Sequence, residues 1–220
     1  MQTAPTPPVA LVTGASRGLG FALAAALGAR RYHVVAVART VGGLEELDDR
    51  IKAAGGSATL APLDITDEGA MRHLCRQIHD RWGGLALWAH AAIHAAPLAP
   101  AGHIDVKDWD RSVTVNLRAT GVLIPFVEPL LRAGRGTALF LDDPRAGARF
   151  FGAYGATKGG QIALARSWAA ETARTGPRVV IAEPAPMPTA TRARFYPGED
   201  RAALADPHAE AARILDAAGL

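Results

Sequence analysis

The sequence predicts an α/β protein, a three-layer, doubly wound parallel sheet of about six strands with helices on both faces. Short β-branched runs alternate with longer stretches of helical periodicity, which is the pattern of consecutive β–α–β units. A glycine-rich segment, residues 13–20, directly follows the first run and opens the first helical stretch. Ligands of such sheets bind at the carboxyl ends of the strands, so functional residues are expected there.

The six strands are predicted from β-branched and small apolar runs that turn signals bound. They cover residues 9–13, 33–38, 58–63, 85–90, 137–141 and 179–182. The helices follow from apolar residues spaced three and four apart. They cover residues 19–29, 44–54, 68–81, 106–132, 153–174 and 207–218, with Pro125 inside the fourth or at a kink in it. The proline- and glycine-rich stretch 184–198 is predicted to be a long functional loop.

Length and composition fit one domain over residues 1–220, with 49% hydrophobic and 20% charged residues. The net charge is only +3 and the basic residues are scattered, so no nucleic-acid-binding surface is expected. The single cysteine, Cys75, excludes an intrachain disulfide and a cysteine-based zinc cluster, and no metal site is predicted. The start lacks signal-peptide features and no apolar run suits a membrane span, so no membrane contact and a cytoplasmic location are expected.

Residues 13–20 read TGASRGLG and have the properties of a phosphate-binding loop. Gly14 permits the tight turn, Gly18 allows the backbone to approach a pyrophosphate, and Gly20 allows close packing of the helix. The following helix N-terminus presents free N–H groups and the positive end of its dipole. The strand–turn–helix context therefore predicts a dinucleotide site.

This TGxxxGxG spacing resembles the signature of the short-chain dehydrogenase/reductase family, and the resemblance extends over about residues 9–189. It implies a Rossmann fold with strand order 3-2-1-4-5-6. Relatives usually continue through a seventh strand, so a sheet without that strand is expected here. The two long helices around Asn116 and Tyr154 are similar to those of the family's dimer interface, which implies a homodimer in preference to a tetramer.

The second strand is followed by Arg39, where enzymes that bind a free ribose 2′-hydroxyl usually have an acid. Arg39 and Arg17 are placed to clamp a 2′-phosphate, so NADP(H) is predicted and NAD(H) is kept as the alternative. Asp64 is similar to the family's adenine-contacting aspartate, although it could instead cap the next helix. The predicted cofactor-binding residues are Gly14, Ser16, Arg17, Gly18, Leu19, Gly20, Arg39, Asp64, Ile65, Ala91, Lys158, Pro184 and Thr189.

Tyr154 and Lys158 form a YxxxK motif whose spacing places both side chains on one face of a helix. The neighbouring ammonium is expected to lower the pKa of the phenol. The resemblance implies that Tyr154 exchanges a proton with a substrate oxygen and that Lys158 also holds the nicotinamide ribose. It further implies that Asn116, in the long helix, supports a water-linked proton relay through the lysine.

The active-site half departs from the family's pattern. The family carries a serine after the fifth strand, but Asp142 or Asp143 stands at that place and no serine occurs between residues 137 and 154. A hydroxyl donates a hydrogen bond to a carbonyl, whereas an ionised carboxylate only accepts. The family's NNAG segment reads AHAA at 89–92, where His90 is interpreted as a structural histidine, and its PG motif reads PA at 184–185.

Three functions therefore stay open. The first is an NADP(H)-dependent oxidoreductase that transfers hydride between nicotinamide and a small carbonyl or alcohol, with Tyr154 as acid and base. The second is similar to pteridine reductases, which carry an aspartate near the serine position, and would reduce a C=N bond with Asp142 or Asp143 beside Tyr154. The third is a catalytically weak or silent dinucleotide-binding protein. In the first two the partner is a small-molecule substrate.

Overall fold

A computed structural model describes residues 7–220, and its sheet has the predicted order and direction. All six strands are parallel, in the order β3-β2-β1-β4-β5-β6. The strands are β1 Val9–Thr13, β2 His33–Ala38, β3 Ser57–Pro62, β4 Leu87–His90, β5 Thr137–Leu141 and β6 Arg178–Ala182. The order reverses between β1 and β4, where a crevice opens at the carboxyl ends of the strands.

Eight α-helices surround this sheet in the part of the chain that the structure describes. They are α1 Gly18–Ala29, α2 Val41–Ala53, α3 Glu68–Trp82, α4 Val106–Ser112, α5 Ala119–Ala133, α6 Gly152–Thr172, α7 Ala190–Phe195 and α8 Pro207–Ala217. One buried apolar cluster joins the sheet to α1, α2 and α8, and a second joins it to α3, α5 and α6. Successive residues of β1, such as Ala10 and Leu11, enter opposite clusters, so both faces of the sheet are covered and the predicted three layers are confirmed.

The helix predicted over residues 106–132 is not one regular α-helix. A π-helical segment, Val113–Arg118, separates α4 from α5, while Pro125 lies inside α5. Within this segment the backbone hydrogen bonds span five residues, as from Ala119 N–H to the Thr114 carbonyl. Apolar periodicity does not reveal such a change, because the side chains on either side still follow helical spacing.

The prediction of a long functional loop over 184–198 is wrong for residues 190–195, which form α7. Thr189 begins this helix, since its hydroxyl accepts a hydrogen bond from the Arg192 N–H at 3.2 Å. Helix α2 begins three residues before its predicted start. Gly43 there leaves room for the phosphate loop, because a Cβ at this position would lie 2.6 Å from the Ser16 carbonyl oxygen.

Within residues 7–220, no helix combines the length and apolar character that crossing a bilayer would require. The assignment of residues 1–220 to a single domain stays a prediction, and residues 1–6 lie outside the described part of the chain.

Candidate active site

A cleft of about 630 Å³ lies at the carboxyl ends of the strands, and it collects nearly all of the predicted site residues. The predicted cofactor-binding set lines it without exception, namely Gly14, Ser16, Arg17, Gly18, Leu19, Gly20, Arg39, Asp64, Ile65, Ala91, Lys158, Pro184 and Thr189. Asp142, Asp143 and Tyr154 line the same cleft, whereas Asn116 is buried behind it. Sequence positions far apart therefore meet at one place, while the individual roles stay predictions.

The glycine loop at the floor of this cleft has the close contacts that the motif requires. Gly14 has a positive φ of 81°, and a Cβ there would lie 2.6 Å from the Ala92 nitrogen. A Cβ at Gly20 would collide with the Gly14 carbonyl. The N–H groups of Gly14 and Ala15 donate to the Val37 carbonyl at 2.8 and 3.1 Å, which ties the loop to the end of β2. The loop and the N-terminus of α1 thus fit a pyrophosphate.

The side of the cleft beside β2 and β3 carries Arg39 and Asp64, whose nearest charged atoms are 3.7 Å apart. Asp64 accepts hydrogen bonds from the Thr66 N–H and hydroxyl at 3.0 and 2.8 Å. Burial favours the neutral carboxyl, but these bonds and the Arg39 charge outweigh it and lower the pKa of Asp64. The N-cap of α3 is Asp67, which accepts a hydrogen bond from the Ala70 N–H at 2.9 Å. Asp64 therefore does not cap this helix.

Tyr154, in the first turn of α6, is only 4% exposed because aromatic rings cover it. The Phe195 ring of α7 meets it edge-on with centroids 4.9 Å apart. Its hydroxyl donates to Asp143 Oδ2 at 3.0 Å. Burial, followed by the Asp143 charge and hydrogen bond, raises the pKa of Tyr154, so the predicted lowering by Lys158 is wrong for this arrangement.

The two aspartates after β5 point to different partners. Asp143 accepts from Tyr154 and also from Arg145 Nε, at 3.1 Å. Asp142 lies 3.4 Å from the exposed Arg166 guanidinium. The structure therefore distinguishes the two residues that the sequence left equivalent, since only Asp143 touches the tyrosine hydroxyl.

Lys158, one helical turn after Tyr154, is buried and its ammonium donates to Gln161 Oε1 at 2.6 Å. Burial lowers the pKa of Lys158 to about 8, although Asp142 and Asp143 oppose this. Sequence reasoning missed Gln161. Its signal was a polar side chain on the apolar face of α6, next to the buried Ile162.

Asn116 lies in the π-helical segment, and its side chain holds the chain segment that follows β4. Its Nδ2 donates to the His94 carbonyl at 2.9 Å and to the Thr157 hydroxyl at 3.0 Å, and its Oδ1 accepts from the His94 N–H at 2.7 Å. All of its amide groups are thereby used in protein contacts. None of these hydrogen bonds joins the Asn116 amide to Lys158.

His90, at the end of β4, is held between two threonine hydroxyls. Nδ1 lies 2.7 Å from Thr13 Oγ1 and Nε2 lies 3.0 Å from Thr120 Oγ1. Burial, together with the charge of Lys158, lowers the pKa of His90 to about 3, so the imidazole is neutral at physiological pH. The interpretation of His90 as a satisfied structural histidine agrees with these contacts.

Comparison with known proteins gives a consistent result. A family model described as short chain dehydrogenase matches residues 8–200. The chain is similar to 3beta-hydroxysteroid dehydrogenase 1 of Eggerthella lenta, with 31% identity over 92% of this chain and 76% of the relative. It is 29% identical to the glycine betaine reductase of Emericella nidulans over 80% of this chain, but spans only 14% of that protein's length. A solved metagenomic short-chain oxidoreductase in complex with NADP superposes with a TM-score of 0.82, at 26% identity over 97% of this chain and 90% of that one.

Proposed function

The chain belongs to the short chain dehydrogenase family, and on that premise we propose that it is an NADP(H)-dependent oxidoreductase. It would transfer hydride between nicotinamide and a small carbonyl or alcohol substrate. The observation that carries this proposal is the presence of Tyr154, Lys158 and the glycine loop on the walls of one cleft. Related dehydrogenases and a neighbour solved with NADP support it.

The residues present fit a dinucleotide. Gly14 and Gly20 leave a cradle that a Cβ would fill, and the N-terminus of α1 opens onto it. In our proposal Arg39 and Arg17 hold a 2′-phosphate, Asp64 holds the adenine, and Lys158 holds the nicotinamide ribose. The bound nicotinamide supplies or accepts the hydride.

The protein's own contribution to the chemistry is proton transfer. Tyr154 is kept as a phenol by its environment, so it acts as an acid in the reducing direction. Its proton goes to the substrate oxygen, and the phenolate left behind takes up a proton from solvent before the next turnover. Asp143, whose Oδ2 accepts from the hydroxyl at 3.0 Å, positions the phenol. In the oxidising direction these transfers run backwards, so the Tyr154 phenolate accepts the proton of the substrate hydroxyl.

We expect Arg39→Ala to weaken NADPH binding by about 10- to 100-fold, because a charge-assisted contact to phosphate contributes about 1.5–3 kcal/mol. NADH lacks the 2′-phosphate, so its affinity should change little. The dissociation constants of both nucleotides, measured by fluorescence titration, check this. Arg76→Ala, an exposed change on α3 outside the cleft, is the matched control. Equal losses for the two nucleotides would contradict the preference for NADP(H).

A second candidate function is favoured by the contact between Tyr154 and Asp143. A carboxyl group beside the phenol suits a nitrogen heterocycle, because it can pair with an N–H while the phenol protonates the ring. This candidate is reduction of a C=N bond, as in pteridine reductases. Glu183 adds a further carboxylate to the cleft wall.

For this candidate we expect NADPH oxidation with a dihydropterin to fall by about 10²-fold or more in Asp143→Asn. The substitution disrupts the Asp143–Tyr154 pair that delivers the proton, and a positioned proton-transfer group contributes about 10²- to 10⁴-fold. Asp142→Asn should cost far less, because Asp142 faces Arg166 and not the tyrosine. Absence of turnover with any pterin, alongside turnover of carbonyl substrates, would reject the C=N candidate and keep the first one.

We also propose a cytoplasmic homodimer formed through α5 and α6. Exposed small residues on these two helices, Gly121 on α5 with Ala156 and Ala163 on α6, would let paired helices approach closely. Sedimentation velocity that gives only a monomer at micromolar concentration would exclude this assembly.

A further inference from the structure

The Gln161 side chain connects Lys158 to the π-helical segment Val113–Arg118 by hydrogen bonds. It is 1% exposed and makes three hydrogen bonds. Its Oε1 accepts from Lys158 Nζ at 2.6 Å, while its Nε2 donates to the Asn116 carbonyl and to Thr120 Oγ1, both at 2.9 Å. The carboxamide is therefore oriented by three partners and is held without exposure to solvent.

The two acceptors of Gln161 are themselves fixed. The Thr120 hydroxyl donates to the Asn116 carbonyl at 3.0 Å, so it presents only acceptor sites to Gln161 and to His90 Nε2. Neutral His90 then donates through Nε2 and accepts from the Thr13 hydroxyl through Nδ1. Because both acceptors face the Gln161 amide nitrogen, the carboxamide oxygen points to the Lys158 ammonium.

We propose that Gln161 is a positioning residue, whose carboxamide oxygen fixes the Lys158 ammonium on the inner side of α6. The part of this inference that concerns catalysis rests on the proposed function. A carboxamide accepts a hydrogen bond from the ammonium but neither takes up nor releases a proton at ordinary pH. The contact therefore fixes the position of Nζ without itself exchanging a proton with it.

The charged groups that face Lys158 are few. Asp142 and Asp143 act on it from the segment after β5, and both favour its charged form. His90 faces it from the end of β4, and Tyr154 precedes it on α6. Burial opposes the charged ammonium, and within residues 7–220 the hydrogen-bond acceptor that it contacts is Gln161 Oε1, at 2.6 Å.

The test uses the protein's three lysines, Lys52, Lys107 and Lys158. With ¹³Cε-labelled lysine the full chain gives three side-chain signals whose pH titrations are read by NMR without substrate or cofactor. Lys52→Arg and Lys107→Arg assign the signals, and these two exposed lysines serve as internal references. For wild-type Lys158 we expect a titration midpoint near pH 8.

Two substitutions should move that midpoint in opposite directions. Gln161→Glu places a carboxylate against the ammonium and should raise the midpoint by about 1–2 pH units. Gln161→Leu removes the acceptor and should lower it by about 1 pH unit. A merely structural role would shift stability in both variants without producing opposite titrations. The reference signals should stay in place.

An unchanged Lys158 midpoint in both folded variants would overturn the proposal, as would a wild-type midpoint equal to that of the exposed lysines. If Gln161→Glu does not fold, Gln161→Asn serves in its place. It keeps the amide but is one methylene shorter, so it should lower the midpoint as Gln161→Leu does. Opposite shifts of the Lys158 midpoint in a protein without NADPH turnover would support the positioning role of Gln161 and reject the oxidoreductase function. NADPH turnover together with an unchanged Lys158 midpoint would reject the positioning role and support the oxidoreductase function.

Discussion

Tyr154→Phe is expected to reduce turnover with NADPH by about 10²- to 10⁴-fold, the contribution typical of a positioned acid or base. The substitution removes one oxygen atom and leaves the ring packed against Phe195, 4.9 Å away between centroids. The substrate oxygen then lacks its proton donor, and Asp143 loses its hydrogen-bond partner at 3.0 Å. The measurement is kcat/KM across a panel of carbonyls and alcohols, together with the dissociation constant of NADPH, which should change little.

Tyr32→Phe is the matched control, because Tyr32 lies outside the cleft and its hydroxyl makes no contact with the proposed site. A rate equal to wild type in Tyr154→Phe, with tight NADPH binding and weak turnover in both proteins, would favour the third function, a silent dinucleotide-binding protein. A rate that depends on Tyr154 with any substrate excludes that function.

The second large effect concerns acid stability and His90. The pKa of His90 is about 3 in the folded protein and 6.5 in the unfolded chain. Between these values the unfolded state binds more protons, so the free energy of unfolding falls as pH drops from 6.5 towards 3. The loss is about 1.4 kcal/mol per pH unit, which amounts to about 3 kcal/mol at pH 4.5. Urea unfolding at pH 7 and pH 4.5 measures it.

His90→Asn separates this effect from other acid-sensitive groups such as His33, whose pKa burial also lowers. The variant should be less stable than wild type at pH 7, because two buried hydrogen bonds are disturbed. It should, however, lose about 3 kcal/mol less than wild type between the two pH values. His103→Asn, at an exposed histidine, should retain the wild-type dependence. Parallel pH dependences of wild type and His90→Asn would contradict this assignment.

Much of the fold was predictable because its signals are local. Strand β2 at His33–Ala38 and strand β5 at Thr137–Leu141 have the predicted bounds, since each is a short apolar run between breaks. The π-helical segment 113–118 and helix α7 were not predictable in this way. The first is a shift of backbone hydrogen bonds, and the second depends on a single hydroxyl cap at Thr189.

The candidate site divides in the same manner. The glycine loop and the pair Tyr154 and Lys158 were found by spacing, because strand–turn–helix geometry and the helical period fix their neighbours. Which aspartate meets the tyrosine was open in the sequence, since Asp142 and Asp143 are adjacent and chemically identical. Backbone direction after β5 turns Asp143 to Tyr154 and Asp142 to Arg166.

Short motifs and periodicity in the sequence were enough to predict the parallel sheet, the family resemblance with the strand order that it implies, and the cofactor-binding residues that line the cleft. The pKa shifts of Tyr154 and Lys158 depend on the packed structure. Burial and the contact with Asp143 raise the pKa of Tyr154. Burial lowers the pKa of Lys158 against the opposing charges of Asp142 and Asp143. The Gln161 side chain hydrogen-bonds both Lys158 and the carbonyl of Asn116. Asn116 is 45 residues away in the sequence, so this contact forms only when α6 packs beside the π-helical segment. Desolvation and long-range hydrogen bonds are properties of the packed interior, which no local pattern contains.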